Sequence, residues 1–259
     1  MHAFVRYGDL MGDLFIPELG KSNGMGIVWC PGLPNRPTAD DLAEPLAHQG
    51  FTVLQARYPG SWQSYGRFGP SSSLDGAVLG LELMAQGSAR DLVTERPITW
   101  TVDRLALVGN SYGGGVAICA LALSDLADCA VVFCPLVEPH RQNADAALPE
   151  DDLRTLYPYL KRCHENVFRG LDDREWGEFL SGTSRLFPPA YVPTLLSRPL
   201  LLVHGSDDQT IRPYHTAAFY EQLVAGGADR AALILAPAVG HGRALRAKTW
   251  DQWTQWLLR

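Results

Sequence analysis

Short apolar runs alternate with longer amphipathic segments along most of the chain. The short runs are compact, as buried strands are: "GIVWC" (26–30), "FTVLQARYP" (51–59), "RLALVG" (104–109), "CAVVFCPL" (129–136), "PLLLVHG" (199–205) and "AALILAP" (231–237). Two further runs near the start, "AFVRY" and "LFIP", flank a Gly-Asp turn and predict a hairpin. Segments with helical patterns separate the strands, at 38–49, 72–86, 112–124, 213–225 and 243–258.

Strands that alternate with helices require crossover connections, which favour a parallel sheet with helices on both faces. The pattern therefore predicts an α/β fold with a doubly wound, mainly parallel sheet of about eight strands. The alternation is interrupted between about 137 and 198, where the chain is polar, aromatic and helix-like. We interpret this segment as a helical insertion over the sheet, within one domain that spans 1–259.

Composition and charge narrow the class of protein. A hydrophobic content of 46% with 19% charged residues indicates a soluble globular protein, and the net charge of −6 argues against a nucleic-acid partner. We see no signal peptide and no apolar run near the ~18 residues of a membrane span, so we expect a cytoplasmic protein. The five cysteines form no CxxC pair and are expected to be reduced and buried. No histidine or cysteine cluster has metal-ligand spacing, and we expect no metal or other cofactor.

The segment Gly109-Asn110-Ser111-Tyr112-Gly113 matches the pattern G-x-S-x-G where a predicted strand ends and a helix begins. A serine in such a sharp turn needs a positive φ, which costs on the order of 1–3 kcal/mol, and the flanking glycines leave room for it. The helix that follows directs its N-terminal dipole at the serine oxygen. A phosphate-binding loop does not fit, because position 111 is not glycine and no lysine follows the last glycine. The remaining alternative is a glycine-rich turn with an incidental serine.

A serine hydroxyl needs a base, and that base needs a carboxylate to orient it. Asp207 and Asp208 follow the strand at 199–205, and His241 follows the last strand. The chain order of serine, aspartate and histidine is the one expected for a hydrolase with a nucleophile elbow. From this order alone, either aspartate could be the acid.

These motifs resemble those of the α/β-hydrolase fold, and the resemblance covers nearly the whole chain. The family's acid often lies in an H-G-x-x-D pattern, which here selects Asp208. His204 lies at the end of an apolar strand, and we expect it to be a structural hydrogen-bonding residue. The family's histidine often follows a glycine after the last strand, as His241 does. The segment Pro31-Gly32-Leu33-Pro34 resembles the family's H-G-x-P loop, with proline where histidine is common. The resemblance implies an oxyanion hole made by the backbone N–H groups of Leu33 and Tyr112.

Two aromatic regions are candidates for the substrate pocket. Trp62 and Tyr65 lie in the loop that follows the second parallel strand, and Trp176 and Phe179 lie in the insertion, which has the position of a family lid. Each of these side chains could instead pack in the interior. The tryptophans at 250, 253 and 256 recur at helical spacing and are expected in the core.

The resemblance implies a serine hydrolase that cleaves an ester, thioester or small amide through an acyl-enzyme on Ser111, with a small-molecule acyl substrate and carboxylesterase activity as the default. An acyltransferase or cyclase with the same three residues is an alternative, and so is a small aminopeptidase. A non-catalytic ligand-binding protein is the alternative from a different class. The sequence does not predict an oligomeric state.

Overall fold

The computed structural model describes residues 1–35, 37, 42–162 and 166–259, and the backbone of Cys163. Its strands are β1 (His2–Tyr7), β2 (Leu10–Phe15), β3 (Met25–Cys30), β4 (Thr52–Arg57), β5 (Ser88–Arg90), β6 (Pro97–Thr99), β7 (Arg104–Asn110), β8 (Cys129–Phe133), β9 (Leu200–Gly205) and β10 (Ala231–Ala236). Its helices are α1 (Ala43–His48), α2 (Pro70–Gln86), α3 (Tyr112–Leu123), α4 (Leu156–Cys163), α5 (Asp173–Leu180), α6 (Val192–Leu195), α7 (Pro213–Ala225), α8 (Arg243–Lys248) and α9 (Trp250–Leu257). The first part of the predicted helix at 38–49 lies outside the described residues.

Eight strands form one sheet in the order β1-β2-β4-β3-β7-β8-β9-β10. Strand β2 pairs antiparallel with β1 and β4, and the other pairs are parallel. The predicted fold class is therefore confirmed. The register pairs Cys30 with Gly109, Asn110 with Phe133, and Gly205 with Ala236. The loops after β3, β7, β8, β9 and β10 consequently leave the sheet at one edge, where ligand sites of open parallel sheets lie.

Apolar side chains are buried on both faces of the sheet. On one face, Leu107 and Leu202 belong to a core that also includes residues of α2, α3 and α7. On the other face, Val108 and Val203 pack with residues of α1, α8 and α9. Trp253 of α9 is fully buried, and its ring makes an edge contact with Phe133 at 5.6 Å between centroids. Successive side chains of a strand point to opposite faces of the sheet. Because helices cover both faces, all of these side chains are buried, and the strands are continuous apolar runs in the sequence.

Two parts of the fold differ from the sequence expectation. The short hairpin of β5 and β6 was not predicted, because three-residue strands are too short to show an alternating pattern. The predicted helix at 243–258 is instead two helices that meet at Thr249. The Thr249 hydroxyl donates a hydrogen bond to the Leu245 carbonyl at 2.8 Å, and back-bonding of this kind bends helices.

The insertion at 137–198 contains α4, α5, α6 and three short 3-10 turns. Its aromatic side chains Phe168, Trp176 and Phe179 belong to the same buried cluster as the body of the molecule. Among the residues that the structure describes, every helix falls short of the length and apolar character that crossing a bilayer requires. Cys30, Cys119, Cys129 and Cys134 are free and buried, in agreement with the expected state of the thiols.

Candidate active site

Ser111 occupies the sharp turn between β7 and α3. Its backbone has φ 57° and ψ −123°, a left-handed conformation that is strained for a residue other than glycine. Backbone contacts hold it there: its N–H donates to the Phe133 carbonyl at 2.9 Å, and its carbonyl accepts from Leu136 N–H at 3.0 Å. The positive φ expected from G-x-S-x-G is therefore present, and it is fixed by the neighbouring strand.

The glycines around Ser111 permit close backbone packing. A Cβ atom on Gly109 would lie 2.3 Å from the Gly113 carbonyl oxygen, and one on Gly113 would lie 2.1 Å from the Cys30 carbonyl oxygen. A Cβ atom on Gly114 would lie 2.8 Å from Pro135 Cα, and one on Gly115 would lie 2.5 Å from the Leu136 carbonyl oxygen, in the segment after β8. The run of glycines thus lets the start of α3 pack against the loops that leave two neighbouring strands.

Asp208 and His241 form a direct pair at the same edge of the sheet. The distance from His241 Nδ1 to Asp208 Oδ2 is 2.6 Å, and the Asp208 side chain is fully buried. The other carboxylate oxygen accepts the backbone N–H groups of Thr210 at 2.9 Å and Ile211 at 3.0 Å. Asp207 is exposed and accepts a hydrogen bond from the neighbouring hydroxyl of residue 206 instead. Of the two adjacent aspartates, Asp208 is the one that contacts the histidine.

Two further buried side chains lie against Asp208. His204 Nε2 is 3.2 Å from the carboxylate, and it also contacts the Ile211 carbonyl at 2.9 Å. Cys134 Sγ, a carboxylate oxygen of Asp208 and a ring nitrogen of His241 all lie within 4.8 Å of one another. Burial would raise the pKa of Asp208, but hydrogen bonds from His204, His241 and Cys134 outweigh it and hold the pKa well below its usual range. The carboxylate is therefore ionised at neutral pH.

His204 is a structural residue in the sequence prediction, and Cys134 is not among the predicted site residues. The thiol could have been found, because it directly follows β8 at the edge where the other loops meet. Its backbone, with φ 44°, is strained in the same way as that of Ser111. Burial raises the pKa of the Cys134 thiol, so it stays protonated beside the carboxylate.

Two cavities meet at Ser111. One, of about 300 Å³, is bordered by Ser111 and His241 together with polar side chains that include Asn35, Gln55 and Asn110. The other, of about 470 Å³, is bordered by Ser111, by the apolar side chains of Leu33, Leu136, Leu153, Leu156 and Ile211, and by charged side chains that include Asp151, Asp152 and Arg162. Leu33 and Pro34 border both cavities, so the loop after β3 separates them.

This loop runs directly beside the serine. A Cβ atom on Gly32 would lie 3.2 Å from Ser111 Cβ, and the Tyr58 hydroxyl fixes the loop by donating to the Pro31 carbonyl at 3.0 Å. Leu33 follows on this loop, and Tyr112 is the first residue of α3, where backbone N–H groups have no partner within the helix. The two candidate donors of the oxyanion hole therefore come from different segments: Leu33 lies on the loop after β3, and Tyr112 directly follows Ser111.

The four aromatic residues expected at the pocket do not border either cavity. Trp176 and Phe179 are each about 1% exposed and pack against the Tyr112 ring, with centroid distances of 6.2 and 5.6 Å. Tyr65 is 52% exposed and lies under the Arg6 guanidinium, 4.2 Å from its ring centroid. These three residues do not lie where the sequence analysis expected them, because interior packing and surface stacking satisfy their apolar faces.

Trp62 lies one contact away from the smaller cavity. Its indole Nε1 donates to Asn35 Oδ1 at 2.9 Å, and Asn35 borders that cavity. The insertion does contribute to the larger cavity, but through Gln142 and residues between 151 and 162 rather than through the expected aromatics. Leu153 lies in the 3-10 turn before α4 and Leu156 is the first residue of α4, and their spacing of three residues was the sequence signal for a common face.

Residues 39–259 match the sequence profile of the prolyl oligopeptidase family. Searching the curated proteins returns no match. Among solved structures, an esterase from Pyrococcus furiosus aligns over 100% of this chain and 89% of its own, with 17% identity and a TM-score of 0.68. The α/β hydrolase GrgF from a Penicillium species aligns over 100% and 97%, with 15% identity and a TM-score of 0.71.

The acylaminoacyl peptidase of Pyrococcus horikoshii also shares the fold. It aligns over 100% of this chain with 19% identity and a TM-score of 0.68, but the aligned part is only 41% of that chain. The present sequence therefore corresponds to less than half of that peptidase. At these identities the structural matches establish the fold alone.

Proposed function

The chain belongs to the prolyl oligopeptidase family and has the fold of α/β-hydrolase serine hydrolases, and from this we propose that it cleaves an ester, thioester or small amide through an acyl-enzyme on Ser111. The observation that carries the proposal is the 2.6 Å contact of His241 with the buried Asp208, beside a cavity that Ser111 and His241 both border. A neutral imidazole held by an ionised carboxylate is the base that a serine hydroxyl needs.

In the proposed reaction, Ser111 Oγ attacks the acyl carbonyl carbon while His241 Nε2 accepts the hydroxyl proton. Asp208 accepts the hydrogen bond from Nδ1 and stabilises the imidazolium. The N–H groups of Leu33 and Tyr112 would hold the oxygen that becomes negative. Collapse of the tetrahedral intermediate breaks the bond to the leaving group, which takes the proton from His241. A water molecule, which gives its proton to His241, then attacks the acyl-enzyme in the same way, and the carboxylic acid is released as Ser111 regains its proton.

The two cavities bear on the substrate class. The larger cavity offers aliphatic side chains together with the charged side chains of Asp151, Asp152 and Arg162, whereas the smaller one offers amide groups and the Arg246 guanidinium. We therefore propose a small-molecule substrate in which the scissile carbonyl joins a larger group with both apolar and polar parts to a smaller polar group. We retain carboxylester cleavage as the default and a small peptide or amide as the alternative. We also expect the protein to act in the cytoplasm, as its free, buried thiols suggest.

The test combines turnover and labelling. Wild type should hydrolyse p-nitrophenyl butyrate and should be labelled at Ser111 by a fluorophosphonate. Ser111→Ala should lose about 10⁴- to 10⁶-fold in kcat and all of the label, with unchanged thermal unfolding. Ser197→Ala is the matched control, because Ser197 is exposed and borders neither cavity. Undiminished hydrolysis by Ser111→Ala would refute the mechanism.

A second measurement separates the substrate classes. The same acyl group should be offered as a p-nitrophenyl ester and as a p-nitroanilide, and kcat/KM compared. A preference for the anilide would favour the peptidase alternative. Transfer of the acyl group to an added alcohol or amine in excess over hydrolysis would favour the acyltransferase alternative.

A further inference from the structure

Glu150 is a buried carboxylate outside the residues proposed for the chemistry. It lies in the insertion, directly before the residues that border the larger cavity, and its side chain has no exposed surface. One oxygen accepts from His215 Nε2 at 2.8 Å and the Tyr214 hydroxyl at 3.0 Å, and the other accepts from Arg212 N–H at 2.9 Å. A carboxylate that receives so many donors holds its surroundings in one arrangement.

The ionised state of Glu150 is the stable one. Burial would raise its pKa, but hydrogen bonds from the Arg212 N–H, from His215 and from Tyr214 outweigh burial and lower the pKa. An amide in place of the carboxylate would turn its NH₂ group either toward the Arg212 N–H or toward the Asn143 N–H, which donates to the other oxygen at 3.3 Å, and neither backbone group can accept. A buried donor without an acceptor is costly, so the arrangement depends on the charge and not only on the size of the side chain.

Glu150 lies where the insertion contacts the loop at 208–212. The Arg212 guanidinium donates to the Pro149 carbonyl at 2.8 Å, and the Gln142 amide donates to the Thr210 carbonyl at 3.1 Å. On its other side, the same loop donates the N–H groups of residues 210 and 211 to Asp208. The loop is therefore fixed by Asp208 on one side and by the insertion on the other.

We propose that Glu150 is a positioning residue, which holds the loop of Asp208 in place and aligns the wall of the larger cavity formed by 151–162. The inference rests on the proposed function, because it assigns Glu150 a role toward Asp208. Glu150 makes no contact with Ser111 or His241, yet its loss would change both turnover and substrate binding. The contacts of Arg212 with the insertion, and of Gln142 with the loop at 208–212, transmit a displacement of Glu150 to Asp208.

The experiment compares Glu150→Gln with wild type and with Glu221→Gln, an identical change at an exposed position of α7. Active sites are counted with a fluorophosphonate, and kcat and KM for p-nitrophenyl butyrate are measured per titrated site across a pH series. We expect kcat/KM of Glu150→Gln to fall roughly ten- to a hundredfold, with KM raised and kcat lowered. A carboxylate favours a protonated imidazole beside it, so a displaced Asp208 should also move the acidic half-maximum of kcat/KM to lower pH. Glu221→Gln should match wild type.

Tyr214→Phe removes one donor and leaves the carboxylate in place, which keeps the test informative if Glu150→Gln does not fold. We expect it to lower kcat/KM roughly two- to tenfold with the same direction of change in KM and in the pH profile. Unchanged kcat, KM and acidic half-maximum per titrated site, with only a lower Tm, would refute the inference while the label at Ser111 upholds the proposed function. A wild-type protein without that label would refute both.

Discussion

Replacement of Asp208 by asparagine is the sharpest test of the proposed chemistry, because the structure dictates how the new amide must orient. In wild type, Oδ1 accepts two backbone N–H groups and Oδ2 faces His241 and His204. An amide has one acceptor oxygen and one donor NH₂ group. Turning the NH₂ group toward the two N–H donors would leave both without an acceptor, at about 1–3 kcal/mol each. In the Asp208→Asn variant the NH₂ group therefore faces the histidine.

The consequence for His241 follows from this orientation. An NH₂ group can only donate, so Nδ1 of the ring must accept, and the ring proton moves to Nε2. A ring protonated at Nε2 cannot take the proton from Ser111. A change of tautomer of this kind lowers kcat by about 10⁴, which corresponds to about 5.4 kcal/mol in the activation barrier. Loss of the charge also weakens the contacts of a buried group by about 1.5–3 kcal/mol, so Tm should fall by several degrees.

The assay is hydrolysis of p-nitrophenyl butyrate at a temperature where circular dichroism shows each variant to be folded. Asp207→Asn is the matched control, because the same change occurs one residue away on an exposed carboxylate. We expect that variant to remain within about threefold of wild type, since surface changes seldom exceed ±0.5 kcal/mol. A loss smaller than tenfold in Asp208→Asn, or a larger loss in Asp207→Asn, would refute the assignment of the acid.

Two further predictions concern stability. Gly113→Ala places a methyl group 2.1 Å from the Cys30 carbonyl oxygen and should lower the free energy of unfolding by more than about 3 kcal/mol. Gly177→Ala, in an open position of α5, should leave it unchanged or raise it by up to about 1 kcal/mol. Urea denaturation of the two variants measures the difference. The folded-state pKa of Asp208 and of Glu150 lies below the ordinary 3.8 and 4.5, so the stability they contribute is complete at neutral pH and is lost as the pH falls through the lowered pKa values. Below about pH 4, Tm should therefore fall more in wild type than in Glu150→Gln, and equal slopes would contradict the shift at Glu150.

The strands and the residues at their ends were predictable because each signal is local. Ser111, Asp208 and His241 each follow a compact apolar run, and the parallel topology brings the ends of such runs to one edge of the sheet. The glycine pattern around Ser111 was equally informative, since it reports a backbone conformation rather than a tertiary contact. These features depend on local backbone conformation and on the order of the strands, and a single sequence is sufficient to predict them.

The walls of the cavities were not predictable in the same way. Trp176 and Phe179 have the composition expected of a pocket, but the interior of the molecule has the same composition, and the two side chains pack there. Which aromatic face is buried depends on how the insertion lies on the sheet, and no local pattern encodes that. In the sequence, Leu153 and Leu156, which do border the larger cavity, resemble any two leucines of a short helical segment.

The two parts of the site should therefore respond differently to substitution. The sheet edge holds Ser111, Asp208 and the loop after β3 through strand register and backbone contacts, so changes there should act on kcat. The insertion supplies the walls between 142 and 162, which contain no residue proposed for the chemistry, so changes there should act on KM and on the choice of acyl group. Glu150 is the exception, because it contacts the loop of Asp208 as well as the wall. A substitution there should change kcat and KM together, which a wall residue such as Leu153 should not do.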